Sequence, residues 1–120
     1  MELYEQTIHD LQAQLQARQV SSVEITTSFL NRIDSTDPSI NAFITVTKEQ
    51  ALADAQAADQ RIAAGDGSPL TGLPVALKDI FLTDGVRTTC ASKMMGNFVA
   101  PSESTGRAKI KAKGAGLLGK

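Results

Sequence analysis

The chain has 120 residues, of which 42% are hydrophobic and only 4% aromatic, so its core must consist mainly of aliphatic side chains. One Cys and one His exclude an internal disulfide and a metal site built from Cys or His clusters. No apolar run approaches the ~20 residues that span a bilayer, and the acidic N-terminus does not resemble a signal peptide. We therefore expect a cytoplasmic protein with no membrane contact and no metal of its own.

The formal net charge of −1 conceals a separation of charge along the chain. Residues 1–100 carry 7 basic and 12 acidic side chains, whereas residues 101–120 carry 5 basic side chains and 1 acidic one. Such a basic segment could bind nucleic acid or another acidic partner, or it could simply keep the end of the chain soluble.

The first half of the sequence predicts helices. Residues 7–10 resemble a capping box, and apolar residues then recur at helical spacing, which predicts a helix that ends near Gln19. Residues 21–24 form a second capping box. The helix that they begin should end at residues 37–38, because Pro38 disfavours a helical conformation in the residue before it.

A third helix is predicted over residues 48–64, with Thr47 as its N-cap and Gly65 immediately after its end. This segment is rich in Ala and has a narrow apolar face, so a close neighbour must pack against it. Between the second and third helices, residues 42–46 include β-branched and aromatic side chains, which favour a short strand.

The second half of the chain changes character. Residues 73–79 form an apolar run that predicts a buried strand, and residues 115–118 predict a second strand. Residues 102–113 predict only a weak basic helix, because Gly and Lys dilute its apolar face. Together the elements predict an α/β fold in a single incomplete domain, with helices in residues 1–65 and a strand-containing core segment in residues 66–120.

Lys78 is unusual because it lies inside the predicted apolar strand. Burying an unpaired ammonium group costs several kcal/mol. Neighbouring residues of a strand point to opposite faces, so Lys78 and Asp79 cannot pair on the same face. Lys78 could have another carboxylate partner, it could be neutral and serve as a general base, or it could lie at the strand end and reach water.

Three stretches of the sequence resemble the amidase-signature family. They are Gly-Leu-Pro-Val-Ala-Leu-Lys-Asp at residues 72–79, Gly-Val-Arg-Thr-Thr-Cys-Ala-Ser-Lys-Met at residues 85–94, and Gly-Ala-Gly-Leu-Leu-Gly-Lys at residues 114–120. Their order and spacing agree with the family, and the resemblance covers nearly the whole chain. Within the family, the second stretch, the two leading helices and the Asp-Pro-Ser-Ile-Asn-Ala-Phe segment at residues 37–43 are most similar to the A subunits of amidotransferases.

The resemblance implies a mixed sheet wrapped by helices, of which this chain would form an N-terminal fragment. It also implies a Ser–cis-Ser–Lys triad, in which Lys78 would be the base that activates the nucleophilic Ser through the bridging Ser. The amidotransferase subunits hydrolyse glutamine and pass ammonia to a partner subunit. The partner subunit would use this ammonia, with ATP and Mg, to convert Glu-tRNA(Gln) into Gln-tRNA(Gln). The complete complex would be a heterotrimer. This chain itself would bind no cofactor.

The resemblance places both triad serines in a Gly- and Ser-rich stretch downstream of the residues present here, and Ser92, Ser102 and Ser104 do not match them. We therefore expect Lys78 to be the only triad member in this chain, and the isolated chain to be inactive. We also expect the Lys78 side chain to be partly buried, with its amine facing a space that further residues of the fold would fill.

Two alternatives to this assignment are open at the level of the sequence. The chain could be a non-catalytic module, truncated or redesigned, that folds alone or binds an acidic partner through its basic C-terminal segment. Residues 114–120 also match G-x-G-x-x-G and G-x-x-x-x-G-K, which are phosphate-binding patterns. The Ser or Thr and the helix that such a loop requires do not follow, so the pattern by itself is a poor predictor of nucleotide binding.

Overall fold

The fold is α/β, as the sequence predicts: helices surround a small parallel sheet. The computed structural model describes all 120 residues, and none of its helices is both long and apolar enough to cross a membrane. Single turns of 3-10 helix lie at Leu3–Glu5 and Lys93–Met95. The longer elements are helices α1 (Ile8–Gln16), α2 (Ser22–Ile40), α3 (Lys48–Ala63) and α4 (Thr105–Ala112), and strands β1 (Pro74–Ala76) and β2 (Gly116–Gly119).

The first two helices begin at the capping residues that the sequence indicates. The Thr7 hydroxyl accepts a hydrogen bond from the Asp10 amide at 3.2 Å. The Ser21 hydroxyl accepts from the Glu24 amide at 3.1 Å, and the Glu24 carboxylate accepts from the Ser21 amide at 2.8 Å, so α2 has a reciprocal capping box. These caps satisfy amide groups that would otherwise have no partner in the first turn.

The ends of these two helices differ from the prediction. Helix α1 ends at Gln16 rather than near Gln19, and the chain then reverses through Arg18, whose φ is +54°. Helix α2 contains Pro38 and continues to Ile40. The turn after Pro38 is closed by two hydrogen bonds to Asp37: Asn41, in the left-handed conformation, donates from its amide to the Asp37 carbonyl at 2.7 Å, and the Ala42 amide donates to the Asp37 carboxylate at 2.7 Å.

Two small apolar clusters hold the helices and the sheet together. One consists of Leu11, Leu15, Ile25 and Leu73, and the other of Leu30, Ala51 and Leu118. Burying a Leu or Ile side chain of this kind stabilises a fold by about 1.5–3 kcal/mol. The clusters therefore fix α1 and α2 against the segment that leads into β1, and α2 and α3 against β2.

Helix α3 presents a narrow face of small residues to the sheet, as its composition predicts. Ala51, Ala55 and Ala58 are all buried. Thr47 precedes the helix, but its hydroxyl donates to the Leu117 carbonyl at 2.7 Å instead of capping α3. The small side chains let β2 approach closely, since a Cβ added to Gly116 would lie 3.3 Å from the Asp54 Cβ.

Strand β2 is the central strand, and all four of its residues are buried. It pairs in parallel with β1, with Pro74 opposite Gly116 and Val75 opposite Leu117. On its other side, residues 44–47 run antiparallel to it through hydrogen bonds with the backbone of Leu118 and Lys120. The predicted strand over residues 42–46 is therefore reduced to one bridge at Val46, and the predicted strand over residues 73–79 to three residues.

Helix α4 forms within the predicted basic segment and buries its arginine. Ser104 caps the helix by accepting from the Arg107 amide at 3.4 Å. The Arg107 side chain is only 3% exposed, and its nearest carboxylate oxygen, in Asp54, lies 3.9 Å away. The Nε and Nη1 atoms of Arg107 have no hydrogen-bond partner. This buried charge is poorly compensated, which is unfavourable.

We predict that Arg107→Met stabilises the chain by about 1 kcal/mol or more, because it removes a buried charge and keeps an unbranched side chain. Asp54 would keep its hydrogen bonds from the Gln50 amide group at 2.7 Å and from the Leu117 amide at 3.3 Å. Urea unfolding measures the difference. Lys109→Met, on the exposed side of the same helix, is the control and should change stability little. A clear loss of stability in Arg107→Met would contradict the prediction.

Candidate active site

Lys78 lies two residues beyond the end of β1, and it is exposed. The expectation that its side chain is partly buried is therefore wrong for this chain. No residue of β1 is fully buried: Pro74 and Val75 are half-buried and Ala76 is exposed, because β1 has a hydrogen-bonded neighbour on one side only. Lys78 therefore lies beyond the end of the strand, where its side chain can reach water, which is one of the three alternatives that the sequence leaves open.

The backbone around Lys78 is nevertheless held in place. The Leu77 amide donates to the Gly119 carbonyl at 3.0 Å, which extends the contact between the two strands by one residue. The Lys78 carbonyl accepts from the Phe81 amide at 3.1 Å and so closes a turn over residues 78–81. Lys78 therefore projects from a fixed point between the end of the sheet and a hydrogen-bonded turn.

Asp79 points the opposite way from Lys78, into the protein, and its side chain is 6% exposed. One carboxylate oxygen, Oδ2, accepts from the Thr89 amide at 2.9 Å and from the Thr89 hydroxyl at 2.5 Å. The Asp79 carbonyl accepts from the Cys90 amide at 2.9 Å. Both the side chain and the backbone of Asp79 thus tie the turn to residues 89–90.

Lys120 completes this arrangement from the end of β2. Its side chain is fully buried, and its Nζ atom lies 3.5 Å from the other Asp79 oxygen, Oδ1. The same amine donates to the Phe81 carbonyl and to the Thr88 hydroxyl, each at 2.6 Å. A buried ammonium needs partners of this kind, because an uncompensated one costs several kcal/mol.

The pKa values of the two charged groups reflect the competition between burial and pairing. Burial would raise the pKa of Asp79, but the hydrogen bonds from Thr89 and the positive charge of Lys120 outweigh it, so this pKa lies below its usual value. Burial lowers the pKa of Lys120, and the nearby Asp79 carboxylate opposes this effect only in part. Asp79 is therefore a carboxylate at neutral pH.

Beside Lys78 lies an open pocket of about 490 Å³ with mostly apolar walls. Cys90 and Ala91 form part of the wall with φ values of +52° and +58°, a conformation that costs a residue with a side chain about 1–2 kcal/mol. The segments that meet at this pocket are residues 42–44, residues 76–80, residues 90–91 and Lys120. An amine and an apolar cavity are thus brought together at one edge of the sheet.

The glycine-rich segment at residues 114–120 does not fit a phosphate. Its Gly116 and Lys120 amides donate to the carbonyls of Leu73 and Thr45, so they are not available to an anion. The Lys120 amine is occupied inside the protein. Glycine is required here for packing, since a Cβ on Gly119 would lie 2.5 Å from the Thr45 carbonyl oxygen.

The three serines that the sequence comparison sets aside as not matching the triad do not line this pocket. Ser104 caps α4. Ser92 precedes the 3-10 turn at Lys93–Met95, and Ser102 is exposed. No three His, Cys, Asp or Glu side chains lie close enough together to hold a metal ion.

Comparison with known proteins assigns this arrangement to a family. A family model described as "Amidase" matches residues 24–120, which include Lys78, the pocket and both strands. The chain belongs to the amidase family.

The chain is similar over its whole length to amidotransferase subunits of one kind. It is 77% identical over 120 residues to the A subunit of the glutamyl-tRNA(Gln) amidotransferase from Trichlorobacter lovleyi, and 58% identical to the A subunit of the same enzyme from Geobacter sulfurreducens. In both cases the match covers 100% of this chain and 25% of the relative. The chain thus spans about a quarter of the length of these relatives and corresponds to their N-terminal part.

Solved structures show the same fold. A structure described as part of a vestigial protein complex that reveals the origins of an s-triazine catabolic enzyme matches with a TM-score of 0.90 at 34% identity, over 95% of this chain and 25% of that one. The peptide amidase from Stenotrophomonas maltophilia matches with a TM-score of 0.90 at 29% identity, over 97% of this chain and 24% of that one. The predicted relation to the N-terminal portion of amidase-signature structures is confirmed.

The sequence indicated Lys78 but not the buried pair that lies behind it. The pairing of Asp79 with Lys120 joins residues 41 positions apart, and no local pattern predicts such a contact. The one available signal was that an Asp follows Lys78 in an apolar segment and therefore needs a buried cation of its own. The structure supplies that cation from the far end of the chain.

We predict that Asp79→Asn lowers the free energy of unfolding at pH 7 by about 3 kcal/mol, because it leaves the Lys120 ammonium buried without a counter-charge. The pKa of Asp79 is depressed in the folded protein, so its contribution is complete above the unfolded value of about 3.9 and is lost as the pH falls through the lower folded value. The unsubstituted chain should therefore lose stability below about pH 4 more steeply than Asp79→Asn.

Thermal unfolding followed by circular dichroism between pH 2 and 7 measures both effects. Asp34→Asn is the matched control, because Asp34 forms an ion pair with Lys48 in which both side chains are more than half exposed. That pair should contribute little to stability. Equal acid sensitivity of Asp79→Asn and the unsubstituted chain would contradict the conclusion that ionised Asp79, paired with Lys120, stabilises the fold.

Proposed function

We propose that this chain supplies the general base of an amidase-signature active site, and that the base is Lys78. The observation that carries the proposal is the placement of the Lys78 amine, which leaves a fixed turn beside a mostly apolar pocket. The family relationship and the match of residues 72–79 to the family motif support it. The two serines of the triad would come from a part of the relatives that these 120 residues do not span.

In this proposal the uncharged Lys78 amine takes a proton from the bridging Ser, which in turn takes the proton of the nucleophilic Ser. The nucleophile attacks the amide carbon of the substrate, and the C–N bond breaks as the proton is delivered to the leaving ammonia. Water then cleaves the acyl–Ser ester, which releases the carboxylic acid and restores the Ser hydroxyl. Apolar surroundings favour the uncharged form of an amine. Closure of the pocket by further residues of the fold would provide such surroundings.

The similarity to amidotransferase A subunits makes glutamine the proposed substrate. Hydrolysis of glutamine would release ammonia for a partner subunit, where Glu-tRNA(Gln) would be converted into Gln-tRNA(Gln) with ATP and Mg. This chain would bind neither ATP nor Mg. The proposal is consistent with the glycine-rich segment at residues 114–120, whose Gly116 and Lys120 amides are hydrogen-bonded within the sheet. By its similarity to amidotransferase A subunits, the chain would act in a heterotrimeric complex in the cytoplasm.

We predict that the 120-residue chain alone releases no ammonia from glutamine, because it would contribute one of the three triad groups.

The base is tested in a chimera in which this chain replaces the corresponding residues of the Trichlorobacter lovleyi relative, assembled in its complex. Lys78→Met should lower glutamine hydrolysis by at least about 1,000-fold.

Lys93→Met is the control for this test, because Lys93 is also an exposed lysine but lies outside the pocket. It should retain the activity of the unsubstituted chimera. A chimera in which Lys78→Met is as active as Lys93→Met would overturn the proposed function.

The alternative of a non-catalytic module that binds an acidic partner is supported by one observation, the exposure of Lys109, Lys111 and Lys113 at the end of α4. Arg107 cannot take part, since it is buried. Three cations in this position also interact favourably with the C-terminal end of the helix dipole, which explains them without a partner.

We predict that changing these three lysines to Gln leaves tRNA binding by the chain unchanged, because the helix dipole accounts for their position. Filter binding at 50 and 200 mM salt measures this, and the same changes at the scattered residues Arg18, Lys48 and Lys93 are the control. Salt-sensitive tRNA binding that disappears only in the first variant would favour the acidic-partner alternative.

A further inference from the structure

The proposed function uses Lys78 and leaves the charged groups behind it without a role. Asp79 and Lys120 are the only oppositely charged pair in the chain in which both side chains are at least nine-tenths buried. A buried pair of this kind is weak evidence for stability, because hydrophobic residues of similar size often serve as well or better. The burial of Asp79 and Lys120 therefore suggests a role other than stabilising the fold.

The contacts of the pair all converge on the turn that carries Lys78. Lys120 binds the carbonyl of Phe81, which is the last residue of the turn, at 2.6 Å. Asp79 is the residue next to Lys78, and Thr89 holds its carboxylate with two hydrogen bonds. The pair thus connects the turn on one side to the end of β2 and on the other side to residues 88–89.

Lys78 and Asp79 point in opposite directions, so holding the Asp79 side chain also constrains the position of Lys78. Asp79 is directed into the protein and Lys78 is exposed at the pocket. Because the two residues share a peptide bond, fixing the carboxylate of Asp79 also fixes the point from which the Lys78 side chain leaves the backbone. A lysine side chain has four rotatable bonds, so its origin must be fixed if the amine is to meet a hydroxyl group reproducibly.

We propose that Asp79 and Lys120 are positioning residues, which hold the turn at residues 78–81 so that the Lys78 amine is aligned with its proton donor. The proposal rests on the proposed function of Lys78 as the base. It assigns to neither residue a contact with substrate, and it predicts that their loss affects the rate of the chemical step rather than the binding of glutamine.

The test uses the chimeric amidotransferase complex described above, with Asp79→Asn, Lys120→Met and the double variant. Each should lower kcat for glutamine hydrolysis by about 10- to 100-fold, the loss expected when a catalytic group is displaced by up to about 1 Å, while KM stays within twofold. Because the two residues act as one unit, the double variant should be no slower than the slower single variant.

Thr89→Val is the milder variant in case the charge changes prevent folding. It removes the hydrogen bond from the Thr89 hydroxyl to Asp79 and the one that this hydroxyl accepts from the Ala91 amide, and it leaves the charges paired and keeps the shape of the side chain. We expect kcat to fall several-fold with unchanged KM. Asp34→Asn again serves as the control, because it breaks an exposed ion pair of the same type and should leave both constants unchanged. Assays are made at a temperature well below the melting temperature of every variant, so that a lower kcat does not reflect unfolding.

Values of kcat within twofold of the unsubstituted chimera in Thr89→Val and in every charge variant that folds would overturn the inference. A rise in KM at constant kcat would overturn it as well, because the residues would then serve substrate binding. These outcomes are distinct from failure of the proposed function, which is judged by Lys78→Met alone. If Lys78→Met is inactive and the variants of the pair are fully active, only the positioning role is wrong.

Discussion

The buried ion pair between Asp79 and Lys120 is the interaction on which the geometry of the candidate site depends. It joins the turn after β1 to the end of β2, and Thr88 and Thr89 complete it from a third segment. Asp79 stays ionised because hydrogen bonds and the opposite charge outweigh the cost of burial. The helices build the core, but this pair sets the place from which Lys78 reaches the pocket.

Close packing around β2 makes the pair possible. The strand lies between β1 and residues 44–47, and α3 covers it with a face of alanines. A side chain at Gly119 would collide with the Thr45 carbonyl, and one at Gly116 would make a tight contact with the Asp54 side chain. The glycines that resemble a phosphate-binding loop are therefore better explained as the residues that allow β2, and with it the Lys120 side chain, to lie inside the protein.

The parts of this structure that depend on neighbouring residues could be predicted from the sequence. The capping box at Ser21, the N-cap at Thr7, the Ala-rich helix α3 and the presence of strands at residues 73–79 and 115–118 all follow from patterns within a few positions. The strand lengths were wrong because they depend on partners: β1 stops where its contact with β2 stops. The end of α2 was wrong because Asp37 accepts hydrogen bonds from the Asn41 and Ala42 amides, which hold it in the helix despite the preference of a residue before proline for an extended conformation.

The candidate site was predictable only in part, for the same reason. Lys78 stands out as a charge in an apolar run and by its match to a family motif, but its exposure depends on what covers the sheet edge. Arg107 and Lys120 lie in a segment whose charge predicts a basic surface, yet both are buried. Lys120 has Asp79 and two hydrogen bonds as partners, whereas Arg107 has only a long contact with Asp54. Charge patterns along the chain show which residues need partners and not which partners they find.

The most direct test of the account is amide hydrogen exchange in Asp79→Asn compared with Asp34→Asn. The Thr89, Cys90 and Phe81 amides report on the contacts of the Asp79 carboxylate, the Asp79 backbone and the turn, in that order. If the buried pair holds the turn, all three amides exchange faster in Asp79→Asn, while amides in the middle of α2 and α3 keep their protection. Unchanged protection of these three amides, with the protein otherwise folded, would contradict the claim that the buried pair holds the turn that carries Lys78.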